Sequence, residues 1–365
     1  MKTVITKVII WLIIVNVFAF AMLNRFNLSP DTAYQWITPE SFPTAQSWDF
    51  VGMHFRWDSY WYLDIIQHGY YLQENNTLSN VVFFPLYPFL IKIVGIALLG
   101  KFALAGWLIS MAALIGACAF FYELLREFHP DIEAEKPILL MLIFPTAFFF
   151  NVMYTESLFL LMTMGTFYFA LRKEYYKAGA FALLGALTHS NGVFLSLPIV
   201  WKIIEQHGWK SIMGKKIIPA FFAPIGTFSF LLYDYLKFKD LFLFFKIESA
   251  WGRGFVFNID HFSFFSHPSI VNMGIDAAFT VLIIGAIVLV WKKLNPLYSV
   301  FMSLTVLSAL TSGTLMSIGR YSLVLFPLFI LLANLKGTKL QTWIFSSALL
   351  LAMDIILWVN NYWAG

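Results

Sequence analysis

Residues 8–23 read VIIWLIIVNVFAFAML and follow Lys2 and Lys7. The run carries no charged side chain, and its length approaches the roughly 20 apolar residues that cross a bilayer. The sequence Ala19-Phe20-Ala21 also resembles a signal-peptidase site. Because many further apolar stretches follow, we interpret this run as an uncleaved first helix whose amino terminus lies inside.

The composition of the whole chain supports the same interpretation. Of 365 residues, 60% are hydrophobic and 12% are charged, whereas soluble domains carry roughly 25% charged residues. The ten-residue alternating pattern of a membrane β-barrel is absent. The sequence therefore predicts an all-α, polytopic transmembrane bundle of about 10–12 spans, with residues 1–365 forming a single integral membrane domain.

Cysteine and charge exclude several classes of function. The one cysteine, Cys118, lies in an apolar run and rules out an intrachain disulfide or a cysteine metal cluster. The net charge of +4 comes from short Lys and Arg clusters between apolar runs, which we interpret as topology signals. We expect membrane lipids as partners and no nucleic acid.

The apolar runs predict helices near 102–124, 138–153, 156–171, 178–189, 193–204, 217–236, 276–291, 296–311, 321–335 and 341–359. The positive-inside rule places every basic cluster inside only if two segments are short. Residues 83–99 must form a juxtamembrane or re-entrant helix, and 178–204 must form two helices that turn at 188–192. Broken helices at membrane depth are tolerated only where they face other protein or a water-filled cavity. We therefore expect a cavity that opens outward, beside outer loops 24–82 and 237–275.

The first outer loop contains RWDSYWYLDIIQHGY at 56–70. Its aromatic and aliphatic positions fall largely on one helical stripe, formed by residues 55, 57, 61, 62, 65 and 66. This pattern predicts an amphipathic helix on the membrane surface. Asp58 stands between aromatic residues and is a candidate general base. The alternative is a solvated Asp58, or one that pairs with Arg56, on a helix whose aromatic residues form an interfacial belt.

A second acidic candidate, Glu156, lies between two apolar runs with no basic partner nearby in the sequence. Ionisable residues at membrane depth are functional candidates by default; the alternative is an exposed position at the outer interface. His189 and Asn191, with Gly192, interrupt another apolar stretch in the same way.

Two arginines, Arg253 and Arg320, fall on the expected outer side, against the usual bias of basic residues. A guanidinium group suits phosphate, although pairing with Glu248 or with lipid headgroups is the alternative. His54 and Asp58 are four residues apart and could share a metal ion. We assign no metal site and no certain cofactor, and a divalent cation stays open.

As an ordered set, these stretches resemble the PIG-V-type mannosyltransferases of the GT-C class of membrane glycosyltransferases. The resembling stretches are RWDSYWYLDIIQHGY (56–70), FFPLYP (83–88), FPTAFFFNVMYTESLF (144–159), THSNG (188–192), WGRGF (251–255) and GRYSLVLFPLF (319–329). They spread over most of the chain. One departure is His189, where the family carries Arg.

The resemblance implies an inverting transfer of a hexose, mannose in the family, from a polyprenyl- or dolichyl-phosphate donor at the extracytoplasmic face. It implies that Asp58 is the catalytic first-loop acid and that Glu156 is a second acid near the active cavity. Further donor- or acceptor-binding candidates are Arg56, Trp57, Tyr62, Tyr87, Tyr154, His189, Asn191, Arg253, Arg320 and Tyr321. The acceptor could be a lipid, a glycan or a protein.

The length of the chain, shorter than that of the eukaryotic members, favours a bacterial relative in the cytoplasmic membrane over an endoplasmic reticulum enzyme. Two other classes stay open. A secondary transporter or lipid flippase would share the broken helices and a membrane-embedded Glu156. A membrane scaffold would tolerate substitution of Asp58 and Glu156.

Overall fold

The computed structural model describes residues 1–26, 50–73, 78–250, 253, 270–312 and 315–362. Within these ranges the chain forms 15 α-helices and no strand, so the expectation of an all-α fold is confirmed. Parts of both expected outer loops, 24–82 and 237–275, lie outside the described residues. Of the WGRGF stretch, only Arg253 is described.

The helices are α1 (Lys2–Phe26), α2 (Ser59–His68), α3 (Leu86–Ala97), α4 (Phe102–Phe128), α5 (Glu135–Leu142), α6 (Glu156–Leu171), α7 (Tyr175–Ala186), α8 (Ser196–His207), α9 (Phe222–Phe238), α10 (Leu243–Ala250), α11 (Ile270–Lys293), α12 (Pro296–Leu310), α13 (Ile318–Tyr321), α14 (Phe326–Leu332) and α15 (Gly337–Val359). Short 3₁₀ turns join several of them.

In the described part of the chain, five helical stretches are long and apolar enough to cross a membrane: Lys2–Asn24, Phe102–Phe128, Lys215–Phe238, Met273–Lys293 and Gly337–Val359. In α1, Val8 is fully buried, whereas Ile13 and Val17 are 58% and 64% exposed. A helix that is apolar on its outer face as well as its inner one is stable in lipid, not in water. These helices indicate a membrane protein; the predicted total of 10–12 spans stays a prediction.

One expected helix, 138–153, is wrong. Helix α5 ends at Leu142, and the chain continues into a 3₁₀ turn at Ala147–Asn151. Pro145 explains the break, because proline lacks an N–H group and disfavours helical backbone at the preceding residue, Phe144.

The two expected short segments are present. Helix α7 ends at Ala186 and α8 begins at Ser196, with a 3₁₀ turn at Ser190–Leu195 between them. Helix α3 has 12 residues, which span about 18 Å, well short of the ~30 Å hydrocarbon core. Its length therefore agrees with a helix that does not cross the bilayer.

The chain divides into two compact units. Unit 1 comprises 1–67, 87–158 and 332–365, and in it α1 packs against α4 and α15. Unit 2 comprises 68–86 and 159–331, and in it α7 packs against α9, and α11 against α12. Gly226 permits the close approach of α9 to α7, because a Cβ atom there would lie 2.8 Å from the carbonyl oxygen of Leu183.

Candidate functional site

The two candidate carboxylates belong to unit 1, in a group that we call the acidic cluster: Asp58, Glu156, Tyr62, Tyr87 and Tyr154. Asp58 immediately precedes α2 and is half-buried. Its backbone N–H donates to the Tyr154 hydroxyl oxygen over 3.0 Å, and the hydroxyl of Ser59 donates to the carbonyl of Met153, also over 3.0 Å. These bonds attach the start of α2 to the segment that leads into Glu156.

Tyr62 lies within the electrostatic influence of both carboxylates. Glu156 is the first residue of α6 and is 7% exposed. Burial raises the pKa of Tyr62 well above its usual value, and the negative charges of Glu156 and Asp58 raise it further, while a hydrogen bond with Thr155 lowers it. Both carboxylates therefore lie close enough to act on one phenol, although they are almost a hundred residues apart in sequence.

Tyr87 joins this cluster to the transmembrane helix α4. Its fully buried hydroxyl donates to the carbonyl of Gly106 over 3.0 Å and bonds the hydroxyl of Ser110 at 2.7 Å. Ser110 in turn donates to the carbonyl of Tyr154 over 3.2 Å. The ring of Tyr87 lies edge-on to that of Tyr62, with 5.0 Å between centroids.

The residues before Asp58 hold the loop in an unusual conformation. Trp57 is 7% exposed and has φ of +55°, a left-handed conformation that costs a bulky residue on the order of 1–3 kcal/mol. Arg56, 4% exposed, donates to the carbonyl of Gly52 and, over 2.8 Å, to that of Phe55. Backbone strain of this kind collects at functional sites. Contact of Arg56 or Trp57 with a ligand stays a prediction.

A polar network beside the loop that carries Asp58 is not predicted by the sequence patterns. Asn16 of α1 and Asn151 exchange two amide hydrogen bonds of 3.0 Å. The Oδ1 atom of Asn16 also bonds Nε2 of His54 at 2.5 Å. Asn16 itself, an amide inside the apolar run 8–23, could have indicated this network, because a buried amide needs hydrogen-bond partners.

His54 is a structural member of this network. Burial lowers its pKa to about 3, so the ring is neutral at physiological pH. The residues that the structure describes contain no group of three or more His, Cys, Asp or Glu side chains that could hold a metal ion. The pairing with Asn16 gives His54 a role other than the metal ligation considered from its spacing to Asp58.

The other candidates belong to unit 2 and form what we call the basic cluster: His189, Asn191, Arg253, Arg320 and Tyr321. Arg253 donates to the Tyr321 hydroxyl, and its guanidinium carbon lies 5.5 Å from the centre of that ring. The guanidinium carbon of Arg320, a residue only 5% exposed, is 5.4 Å from the same centre. The charges of both arginines reach the imidazole of His189, so two cations converge around one tyrosine.

The turn at 188–192 positions the remaining members. The backbone N–H of Asn191 donates to Nδ1 of His189 over 3.1 Å, and the hydroxyl of Ser308 donates to Oδ1 of Asn191 over 2.7 Å. The His189 ring stacks on Phe159 at 5.0 Å and lies edge-on to Tyr321 at 6.1 Å.

Gly192 is required for this turn to pack against the end of α7. A Cβ atom at this position would lie 2.3 Å from the carbonyl oxygen of Gly185 and 2.4 Å from Cα of Ala186. Both contacts are with backbone, which cannot move aside easily. Close packing therefore requires glycine at position 192 of the THSNG stretch.

The sequence candidates thus fall into two internal groups. Unit 1 holds Arg56 and Trp57 with the acidic cluster, and unit 2 holds the basic cluster. No protein-family model matches this sequence, and no curated protein matches it either. The resemblance to mannosyltransferases therefore stays a prediction.

Proposed function

We propose that this membrane protein is an inverting glycosyltransferase that moves a hexose, most simply mannose, from a polyprenyl- or dolichyl-phosphate donor to an acceptor hydroxyl on the extracytoplasmic face. The observation that carries the proposal is the hydrogen bond of 3.0 Å between the Asp58 backbone and the Tyr154 hydroxyl, which holds the loop of Asp58 against the segment that leads into the buried Glu156. A bacterial cytoplasmic membrane as the location, and a lipid, glycan or protein as the acceptor, are parts of the same proposal.

Asp58 is suited to the role of general base, because it is half-buried and its carboxylate can still reach a hydroxyl from outside. In the reaction, the acceptor oxygen bonds to C1 of the sugar while Asp58 takes its proton. The bond from C1 to the phosphate oxygen breaks, and the lipid phosphate leaves with the electron pair. Glu156, more deeply buried, would stabilise the positive charge that develops at C1.

The basic cluster of unit 2, taken by itself, has the chemistry of a phosphate site. A departing lipid phosphate gains negative charge, which a guanidinium group stabilises through paired hydrogen bonds. Arg253 and Arg320 supply two such groups, and the Tyr321 hydroxyl fixes the first of them. This role needs no strong general acid, since the lipid phosphate released from a phosphodiester donor is already a good leaving group.

The test is transfer from radiolabelled polyprenyl-phosphate mannose into membrane lipid and protein extracts by the purified protein. We expect Asp58→Asn to lose at least about 100-fold of the rate, because general bases typically contribute 10²–10⁴. Asp131→Asn, at an exposed carboxylate outside the cluster, is the matched control and should keep the wild-type rate.

A transfer rate in Asp58→Asn equal to that of the wild type would refute the assignment of Asp58 as the base. If the wild type transfers label from neither the mannose nor the glucose form of the donor, the transferase proposal is overturned. Flipping of labelled lipid in proteoliposomes would then test the transporter alternative.

A further inference from the structure

Unit 2 contains a cavity of about 490 Å³ beside the start of α7 and the end of α8, away from the basic cluster. Its wall includes Lys173, Glu174, Lys177, His207 and Lys216. Three ammonium groups and one carboxylate around an open space give the cavity an excess of positive charge.

The single carboxylate is already neutralised. Glu174 pairs with Lys177 over 2.5 Å and with Arg172 over 3.2 Å. Lys173 and Lys216 make no ion pair within the described part of the chain, and Lys216 lies 3.3 Å from Nδ1 of His207. These two ammonium groups are available to an anion. The positive end of α7, which begins at Tyr175, adds to the same field.

The backbone at Lys173 gives a second reason to regard this cavity as a built site. Lys173 has φ of +64° and lies two residues after the end of α6, at a position that glycine or asparagine usually occupies because the left-handed conformation strains other residues. A lysine here accepts that strain and keeps its ammonium group at the cavity wall.

The surroundings of the cavity favour a lipid as the source of the anion. Trp209 and Met213 are 75% and 95% exposed, and Tyr176, in the cavity wall, is 63% exposed. Large apolar and aromatic side chains interspersed with lysines, such as Lys210, are typical of the lipid headgroup layer. Basic pockets between helix ends on the inner side of a membrane bind acidic headgroups.

We propose that this cavity binds the phosphate of an anionic phospholipid from the inner leaflet, through Lys173 and Lys216. The inner side follows from the positive-inside rule applied to this basic segment. The inference goes beyond the proposed transfer reaction and does not depend on it.

The experiment compares lipid binding by the purified full-length protein in detergent, using native mass spectrometry with phosphatidylglycerol and phosphatidylcholine. The test variant is Lys173→Asn with Lys216→Gln, since asparagine tolerates a positive φ and folding is preserved. Lys210→Gln removes a nearby exposed lysine outside the cavity wall and is the matched control.

We expect the wild type and Lys210→Gln to retain phosphatidylglycerol in preference to phosphatidylcholine, and the double variant to bind it at least about tenfold more weakly. Unchanged melting temperatures without lipid would show that the double variant is folded, and Lys216→Gln alone provides a second, milder variant. Equal binding of phosphatidylglycerol by wild type and folded variants overturns the proposal.

Two further arms address the source and the charge of the ligand. If glycerol 1-phosphate displaces phosphatidylglycerol with the affinity of the lipid itself, a soluble phosphate compound fills the cavity and the lipid assignment is wrong. If phosphatidylcholine binds as tightly as phosphatidylglycerol, recognition of an anion is refuted. Weakening of phosphatidylglycerol binding with added salt supports the proposal.

Discussion

The hydrogen bond between the Asp58 backbone and Tyr154 makes a sharp prediction for Tyr154→Phe. Phenylalanine keeps the ring that packs edge-on against Trp358 and Phe149, both at about 5 Å, so the substitution removes only the hydroxyl. The Asp58 N–H then loses the acceptor that lies 3.0 Å away. Leaving a fully buried polar group without its partner costs about 1–3 kcal/mol, and this range is the upper bound for the half-buried Asp58 N–H.

Hydrogen exchange measured by mass spectrometry at the Asp58 amide reports this change directly. A loss of about 1–3 kcal/mol corresponds to roughly a 5- to 150-fold faster exchange at that amide. Tyr87→Phe is the matched control, because it also removes a buried tyrosine hydroxyl that bonds a neighbouring helix. The control should destabilise the protein without a selective effect at Asp58.

Unchanged exchange at Asp58 in Tyr154→Phe would refute this account of how the loop is held. Equal acceleration in both variants would show that the effect spreads through general destabilisation. If transfer activity is established, Tyr154→Phe should also lower the rate while Asp58 itself stays intact, since a displaced base loses its geometry.

Two other substitutions test the packing and the polar network. Gly192→Ala should lower the free energy of unfolding by at least about 2 kcal/mol, because the new methyl group meets the backbone of Gly185 and Ala186. The control is Gly285→Ala, in open space on α11, which should be neutral or stabilising by about 0.5–1 kcal/mol. Similar melting temperatures for the two variants would contradict the packing explanation. His54, with a folded pKa of about 3 against an unfolded value of 6.5, binds a proton more readily when unfolded, so its contribution to stability is complete above pH 6.5 and is lost as the pH falls. At pH 5 the loss is about 2 kcal/mol, and it should disappear in His54→Gln; a wild type and a variant that show the same acid dependence would refute the buried neutral histidine.

Much of the fold follows from hydropathy and periodicity. The long apolar helices were predicted because lipid-facing and buried faces are both apolar. All six positions of the stripe predicted in the first loop are buried, whereas the location of this helix on a membrane surface stays a prediction. The helix nevertheless begins only at Ser59, because Trp57 takes a left-handed conformation that no composition rule foresees. The break after Leu142 is signalled in the sequence by Pro145.

The candidate site could be predicted residue by residue, but not as an arrangement. Asp58 and Glu156 each stand out as acids among apolar residues. Their meeting at Tyr62 depends on long-range packing that a single sequence does not encode in any local pattern. The bond between His54 and Asn16 is not predicted for the same reason, since an amide in a membrane helix is explained only by the partner that it finds.

Trp358 of α15 donates its indole N–H to the carbonyl of Met53 over 2.8 Å. The last turn of α15 thus supports the loop that carries Asp58, which lies about 300 residues earlier in the sequence. During synthesis, therefore, the loop and α1 lack this hydrogen bond until the ribosome has made α15. Unit 1 is completed late, from three separate stretches of chain, while unit 2, from 68–86 and 159–331, has all of its residues in place before α15 is made.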